Sequence, residues 1–124
     1  VGVGGVTYSW WPAGPEATLS DCHSAALGHH FASDAGAGAP EWQTLDGAYV
    51  VAHKTAALTV DPGAVPWLLL NVDRASGTAP FTDTRYVQRV RTSGGVAPNA
   101  RCDASHVGAL EKVPYTADYF FYGP

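Results

Sequence analysis

Tyr86-Val87-Gln88-Arg89-Val90-Arg91-Thr92-Ser93-Gly94-Gly95-Val96-Ala97-Pro98 and, beyond the cysteine at 102, Val113-Pro114-Tyr115-Thr116-Ala117-Asp118-Tyr119-Phe120-Phe121-Tyr122 decide the fold of this chain. Both stretches are rich in β-branched and aromatic residues, which suit a pleated, half-buried surface. Side chains on a strand alternate between its faces. In the second stretch Val113, Tyr115, Ala117, Tyr119 and Phe121 therefore share one face, read as core. Pro114, Thr116, Asp118, Phe120 and Tyr122 share the other. The first stretch, taken from Thr84 to Thr92, puts Tyr86, Gln88 and Val90 on one side and Arg85, Val87, Arg89 and Arg91 on the other.

Outward from these two strands, Gly and Pro cut the chain into short segments with no sustained helical period. Strands are expected at Val6 to Trp11, Glu16 to Ser20, Leu27 to Ala32, Glu41 to Leu45, Ala48 to His53, Thr55 to Val60 and Trp67 to Val72. Asp46-Gly47 is a hairpin signal, and Asp61-Pro62-Gly63 and Ser76-Gly77 mark turns. Asn99 to Lys112 reads as a loop with one helical turn around Ala109. Trp67 to Val72 is apolar on both faces, which predicts a central strand covered on both sides. The expectation is a single all-β domain over 1–124: an antiparallel β-sandwich or flattened barrel of about eight to nine short strands.

Only 15% of the residues are charged and the formal net charge is −4, so no overall basic field exists to attract nucleic acid. No apolar run approaches the roughly 18 residues of a helical membrane span. The sequence has no methionine, even at position 1, and is expected to be a processed product from which a signal peptide has been removed. A secreted protein is the consequence. Cys22 and Cys102 lie far apart without a Cys-x-x-Cys pattern, so one long-range disulfide is expected, with two buried free thiols as the alternative.

Three groups of residues read as candidate sites. Arg85, Arg89 and Arg91 align three of the seven Lys and Arg residues along one strand face, and guanidinium forks match a carboxylate, sulfate or acidic sugar. The alternative is that they pair with acids such as Asp118 or Asp83. His23, His29 and His30 crowd near Cys22, Asp21 and Asp34, and histidine with carboxylate is a ligand set for zinc, copper or non-haem iron. His29 and His30 point to opposite faces of a strand, so only one of them joins a given site. If Leu27 and Phe31 face the core, His29 is inward and His30 outward. A divalent transition metal is thus the one cofactor these residues suggest. Trp10, Trp11 and Trp42 sit near turns, where exposed rings stack on sugars, while core packing accounts for at least one of the adjacent pair. No nucleophile elbow, zinc-protease motif or phosphate loop occurs, and Val1-Gly-Val-Gly-Gly-Val does not form the dinucleotide fingerprint.

Several motifs together resemble one family. They are Pro15-Glu16-Ala17-Thr18-Leu19, Gly28-x-His30-Phe31, Glu41-Trp42 with Asp46-Gly47, Val65-Pro66-Trp67-Leu68-Leu69-Leu70, the Tyr86 and Thr92 stretches, Cys102-Asp103 and Val113 to Tyr122. The chain is similar over nearly its whole length to the domain-of-unknown-function 3455 family, secreted proteins of bacteria and filamentous fungi. The resemblance implies secretion and an all-β fold, carries no established catalytic residue, and makes His30 the first site candidate by position. The expected role is a binding or structural module of the cell surface or matrix. Its expected partners are cell-wall or matrix polysaccharide, or further copies of itself joined through strand edges. The alternative is a small secreted metal-dependent enzyme built around His30, acting on polysaccharide.

Overall fold

A computed structural model describes residues 9, 14–33, 39–97, 103–108 and 112–124. Seven strands, β1 (Glu16–Ser20), β2 (Ala26–Ala32), β3 (Pro40–Thr44), β4 (Tyr49–Leu58), β5 (Trp67–Ser76), β6 (Tyr86–Gly94) and β7 (Tyr115–Tyr122), form one antiparallel sheet in sequence order. Among the described residues helix is confined to two single 3₁₀ turns, Phe81–Asp83 and Ala104–His106. The all-β expectation holds. No sandwich is seen, and seven strands are described where eight to nine were expected, because Val6 to Trp11 falls almost wholly outside the described residues and Ala48 to His53 and Thr55 to Val60 are not separated by a turn. They run together as β4, and the register irregularity between Lys54 and Ala56 absorbs the break as a bulge. The expected strand at Val6 to Trp11 lies, but for Ser9, outside the described residues, and so does Ala109.

The sheet is curled into a half-barrel, and the aromatic contacts prove it. In a flat sheet β3 and β7 would be roughly 19 Å apart, four strand spacings of about 4.8 Å. Yet the Trp42 ring on β3 lies 5.4 Å from Tyr119 and 5.8 Å from Phe121 on β7. Bulges in β2, β4 and β6, each of which bends and twists its strand, accompany the curl. The concave face holds the core: Trp42, Val50, Ala52, Leu70, Val87 and Phe81, with Leu19, Leu68, Val72, Tyr119 and Phe121 packed against it.

Cross-strand register turns this core into rows. His30, Trp42 and Val50 stand opposite one another on β2, β3 and β4. Leu68, Arg89 and Tyr119 form a second row on β5, β6 and β7, and Leu70, Val87 and Phe121 a third. Gly28 helps bring the first row into place. A Cβ there would collide with the backbone carbonyl of Gln43, so only glycine lets β3 run this close to β2.

Several expected faces are corrected by the curl. On β2 it is Gly28 and His30 that are buried, while Leu27 and His29 are exposed, the reverse of the expected orientation. On β5 the Leu68, Leu70 and Val72 face packs on the core, but Leu69 is 40% exposed, so this strand is not covered on both sides. The arginine stripe is broken as well. Arg91 takes a left-handed backbone conformation (φ 49°) within the β6 bulge. Arg89 therefore lines the concave side, whereas Arg91 is exposed and bonds to Asp118. Arg85 is exposed just before β6 and donates to the Thr84 carbonyl.

Candidate functional site

A recess of about 170 Å³ opens where the first and second rows meet, lined by Pro15, His30, Pro40, Trp42, Leu68, Leu70, Arg89 and Tyr119. Such a volume lies well below the 300 Å³ or more of a typical ligand pocket, so it holds one small group only. His30 forms its wall from β2. The side chain is 2% exposed, its ring stacked on Trp42 at 4.5 Å and 10° and tilted against Tyr119 at 5.1 Å. Its Nδ1 lies 2.8 Å from the Glu41 carbonyl. A carbonyl only accepts, so Nδ1 carries the proton and donates it. Burial, reinforced by the Arg89 charge, lowers the His30 pKa to about 4, although the bond to Glu41 opposes the shift. The imidazole is neutral at pH 7. Its Nε2 is then a lone-pair acceptor, with no hydrogen-bond partner among the described residues.

Across the recess, Arg89 is half-buried and held by a bond of 3.0 Å from its Nε to the Pro66 carbonyl. Among the described residues Asp118 pairs with Arg91, and Asp73 is hydrogen-bonded to His53. Arg89 has no acid partner among them. Tyr119 completes the wall; burial and the neighbouring Tyr115 hydroxyl, 3.4 Å from its own, raise its pKa well above that of a free phenol. Trp42 is 1% exposed and its indole nitrogen is buried without a partner among the described residues, an arrangement that costs about 1–3 kcal/mol. Its ring is a core element and a wall of the recess, not a surface platform.

The convex side offers a different surface. Leu69 and Asn71 on β5, Tyr86 and Gln88 on β6, and Phe120 and Tyr122 on β7 are register partners and point outward together. Tyr86, Phe120 and Tyr122 are 46%, 42% and 46% exposed. The Tyr122 hydroxyl donates to Gln88 at 2.9 Å, and the Arg91 guanidinium lies 5.6 Å over the Phe120 ring. Rings and amides thus alternate across three adjacent strands.

Of the residues singled out by sequence, the structure brings together His30, Trp42 and Arg89, and adds Tyr119. It does not bring together His23, His29 and His30. His23 sits exposed in the β1–β2 turn and His29 faces away from the recess. Among the described residues no group of three or more His, Cys, Asp or Glu side chains is placed to hold a metal ion. Cys22 is exposed in the same turn and unpaired with any described residue, which rules out a buried thiol there. Cys102, Trp10 and Trp11 lie outside the described residues. The outer aromatic face was legible in the sequence as the second face of β7, since a strand with rings on both sides exposes one set unless a second layer covers it. Among the described residues no helix is long and apolar enough to cross a membrane.

The profile of the family described as "Protein of unknown function (DUF3455)" matches residues 6–123. The chain belongs to this family. No curated protein and no solved structure gives a significant match.

Proposed function

We propose that this DUF3455 chain is a secreted binding module of the cell surface or matrix, and that its convex sheet face takes hold of polysaccharide. The observation that carries this reading is the exposure of Tyr86, Phe120 and Tyr122 beside Leu69 on three adjacent strands. An antiparallel sheet with one face in solvent ordinarily shows polar side chains there. A contiguous set of exposed rings marks an interaction surface instead. Tyr and Phe rings offer flat apolar area to the C–H faces of sugar rings, while Asn71, Gln88 and the tyrosine hydroxyls supply hydrogen bonds to sugar hydroxyls. The low charge of the chain supports a neutral, extended partner over a highly charged one.

Co-sedimentation with the neutral insoluble polymers cellulose, chitin and β-1,3-glucan tests the reading. Retention on at least one polymer is expected, with a loss of about tenfold or more in the Phe120→Ala, Tyr122→Ala double variant, equivalent to about 1.4 kcal/mol or more. No retention of the folded protein on any of the three, or undiminished retention of the double variant, would overturn it.

A further inference from the structure

We infer that the concave recess is a second binding site, separate from the aromatic face, and that it takes a carboxylate bearing a neighbouring hydroxyl, as in a single uronic acid unit. Three features of the recess converge on that chemistry. The first is charge. Arg89 is half-buried and unpaired with any described acid, and a guanidinium in a partly desolvated site is compensated best by an anion of matching geometry. Its Nε is fixed on the Pro66 carbonyl and the guanidinium also meets the Tyr119 hydroxyl, so the remaining terminal N–H groups of the fork are the donors left for a ligand.

The second feature is the acceptor opposite. His30 is 98% buried by its 2% exposure, and its Nδ1 is committed to the Glu41 carbonyl. Nε2 is left as an acceptor at the wall of the recess without a partner among the described residues. A bare carboxylate leaves it unsatisfied and meets its lone pair with repulsion; a ligand hydroxyl donates to it. Anion and hydroxyl together satisfy both walls. The third feature is size and shape. The recess of about 170 Å³ is bounded by the Trp42 and Tyr119 rings and by Leu68 and Leu70, apolar walls suited to one compact ring. A polymer interior does not enter such a space, but a terminal unit or a free monosaccharide acid does.

Isothermal titration with D-glucuronate, D-glucose and acetate tests this on the full chain. Glucuronate is expected to bind, acetate and glucose each at least about tenfold more weakly, since a charge-assisted bond and a hydroxyl bond are lost respectively. Arg89→Gln should weaken glucuronate at least about tenfold, and Arg89→Lys should keep part of the affinity because the charge remains but the fork is lost. Should both variants fail to fold, the wild-type protein decides through ionic strength: glucuronate affinity is expected to fall as sodium chloride is raised. Glucose binding as tightly as glucuronate, acetate binding equally well, a salt-insensitive affinity, or no glucuronate binding would each overturn the inference. Binding of glucuronate by a terminal polymer unit is distinguished from binding of the free acid by repeating the titration with a uronate-ended oligosaccharide. Failure of polysaccharide retention on the convex face leaves this titration unaffected, because Phe120 and Tyr122 lie on the opposite side of the sheet.

Discussion

His30 couples burial to proton binding, and this gives the molecule a calculable acid sensitivity. In the unfolded chain a histidine titrates near 6.5, whereas in the fold the value is about 4. Between those two values the unfolded state binds the additional proton, so stability rises with pH across the window and is lost as the solution is acidified from 6.5 toward 4. At about 1.4 kcal/mol per pH unit, the full interval amounts to about 3 kcal/mol. Urea midpoints measured at pH 4.5 and 7.5 should show this loss, and His30→Phe should remove most of the difference. An equal pH dependence in the variant would show that other groups cause it. Gly28 makes a second prediction at the same scale. Gly28→Ala should destabilise by roughly 1–3 kcal/mol, because its Cβ would be driven into the Gln43 carbonyl and β2 and β3 would have to part. Thermal melts of Gly28→Ala beside Gly47→Ala would check it, since a Cβ at Gly47 meets no atom and only its φ of 92° is strained. His30, Trp42 and Arg89, which line the recess, stood out in the sequence as residue types. Their convergence was not, because alternation sorts a strand into two faces without saying which is inner. Apolarity favoured Leu27 and Phe31, but the close passage at Gly28 and the stacking on Trp42 turned the other face inward.

At the scale of single elements, β5 separates what periodicity reveals from what it hides. Trp67 to Val72 is apolar at nearly every position, and such a run reads as covered on both sides. In the fold one side is covered. Leu70 is 2% exposed within the core, while its neighbour Leu69 is 40% exposed beside Gln88. Leu70→Ala should therefore cost about 2–5 kcal/mol, as expected for a buried leucine leaving a cavity, and Leu69→Ala less than about 1 kcal/mol. Denaturant titrations of the two variants test it; comparable costs would mean that a layer covers the convex face. The strand boundaries themselves were readable wherever Gly, Pro or Asp-Gly punctuated the chain, as at Glu16–Ser20 and at the hairpin between β3 and β4. Where a bulge replaced a turn, they were not. Lys54 joins two expected strands into one, and Arg91 at φ 49° reverses the facing of the residues after it. Neither position carries glycine, the residue that normally announces such a backbone. The arginine stripe dissolved for this reason, leaving Arg89 free for the recess and sending Arg91 to Asp118.

At the scale of the whole molecule, the described strands form a sheet that closes through rings and not through hydrogen bonds. His30 and Trp42 touch Tyr119 across the curl, yet β1 and β7 each pair with one neighbour among the described strands. A hydrogen-bonded barrel has no edges; the half-barrel of described strands has two, and edges invite pairing with further chains. The β1 edge is short, five residues, and carries Glu16, whereas β7 is eight residues long with Asp118 as its one charge. Association through edges, an expectation from sequence, therefore belongs to β7 if it occurs in solution. Hydrogen exchange distinguishes the two states, because only alternate amides of an unpaired antiparallel edge strand bond to its neighbour. In dilute protein, alternate amides of Tyr115 to Tyr122 should exchange fast while their neighbours, bonded to β6, are protected. Protein that assembles through this edge should lose the alternation as its concentration rises, with every β7 amide becoming slow. An alternation unchanged up to millimolar concentration would rule out edge pairing by β7 and leave the convex rings and the concave recess as the two proposed binding surfaces.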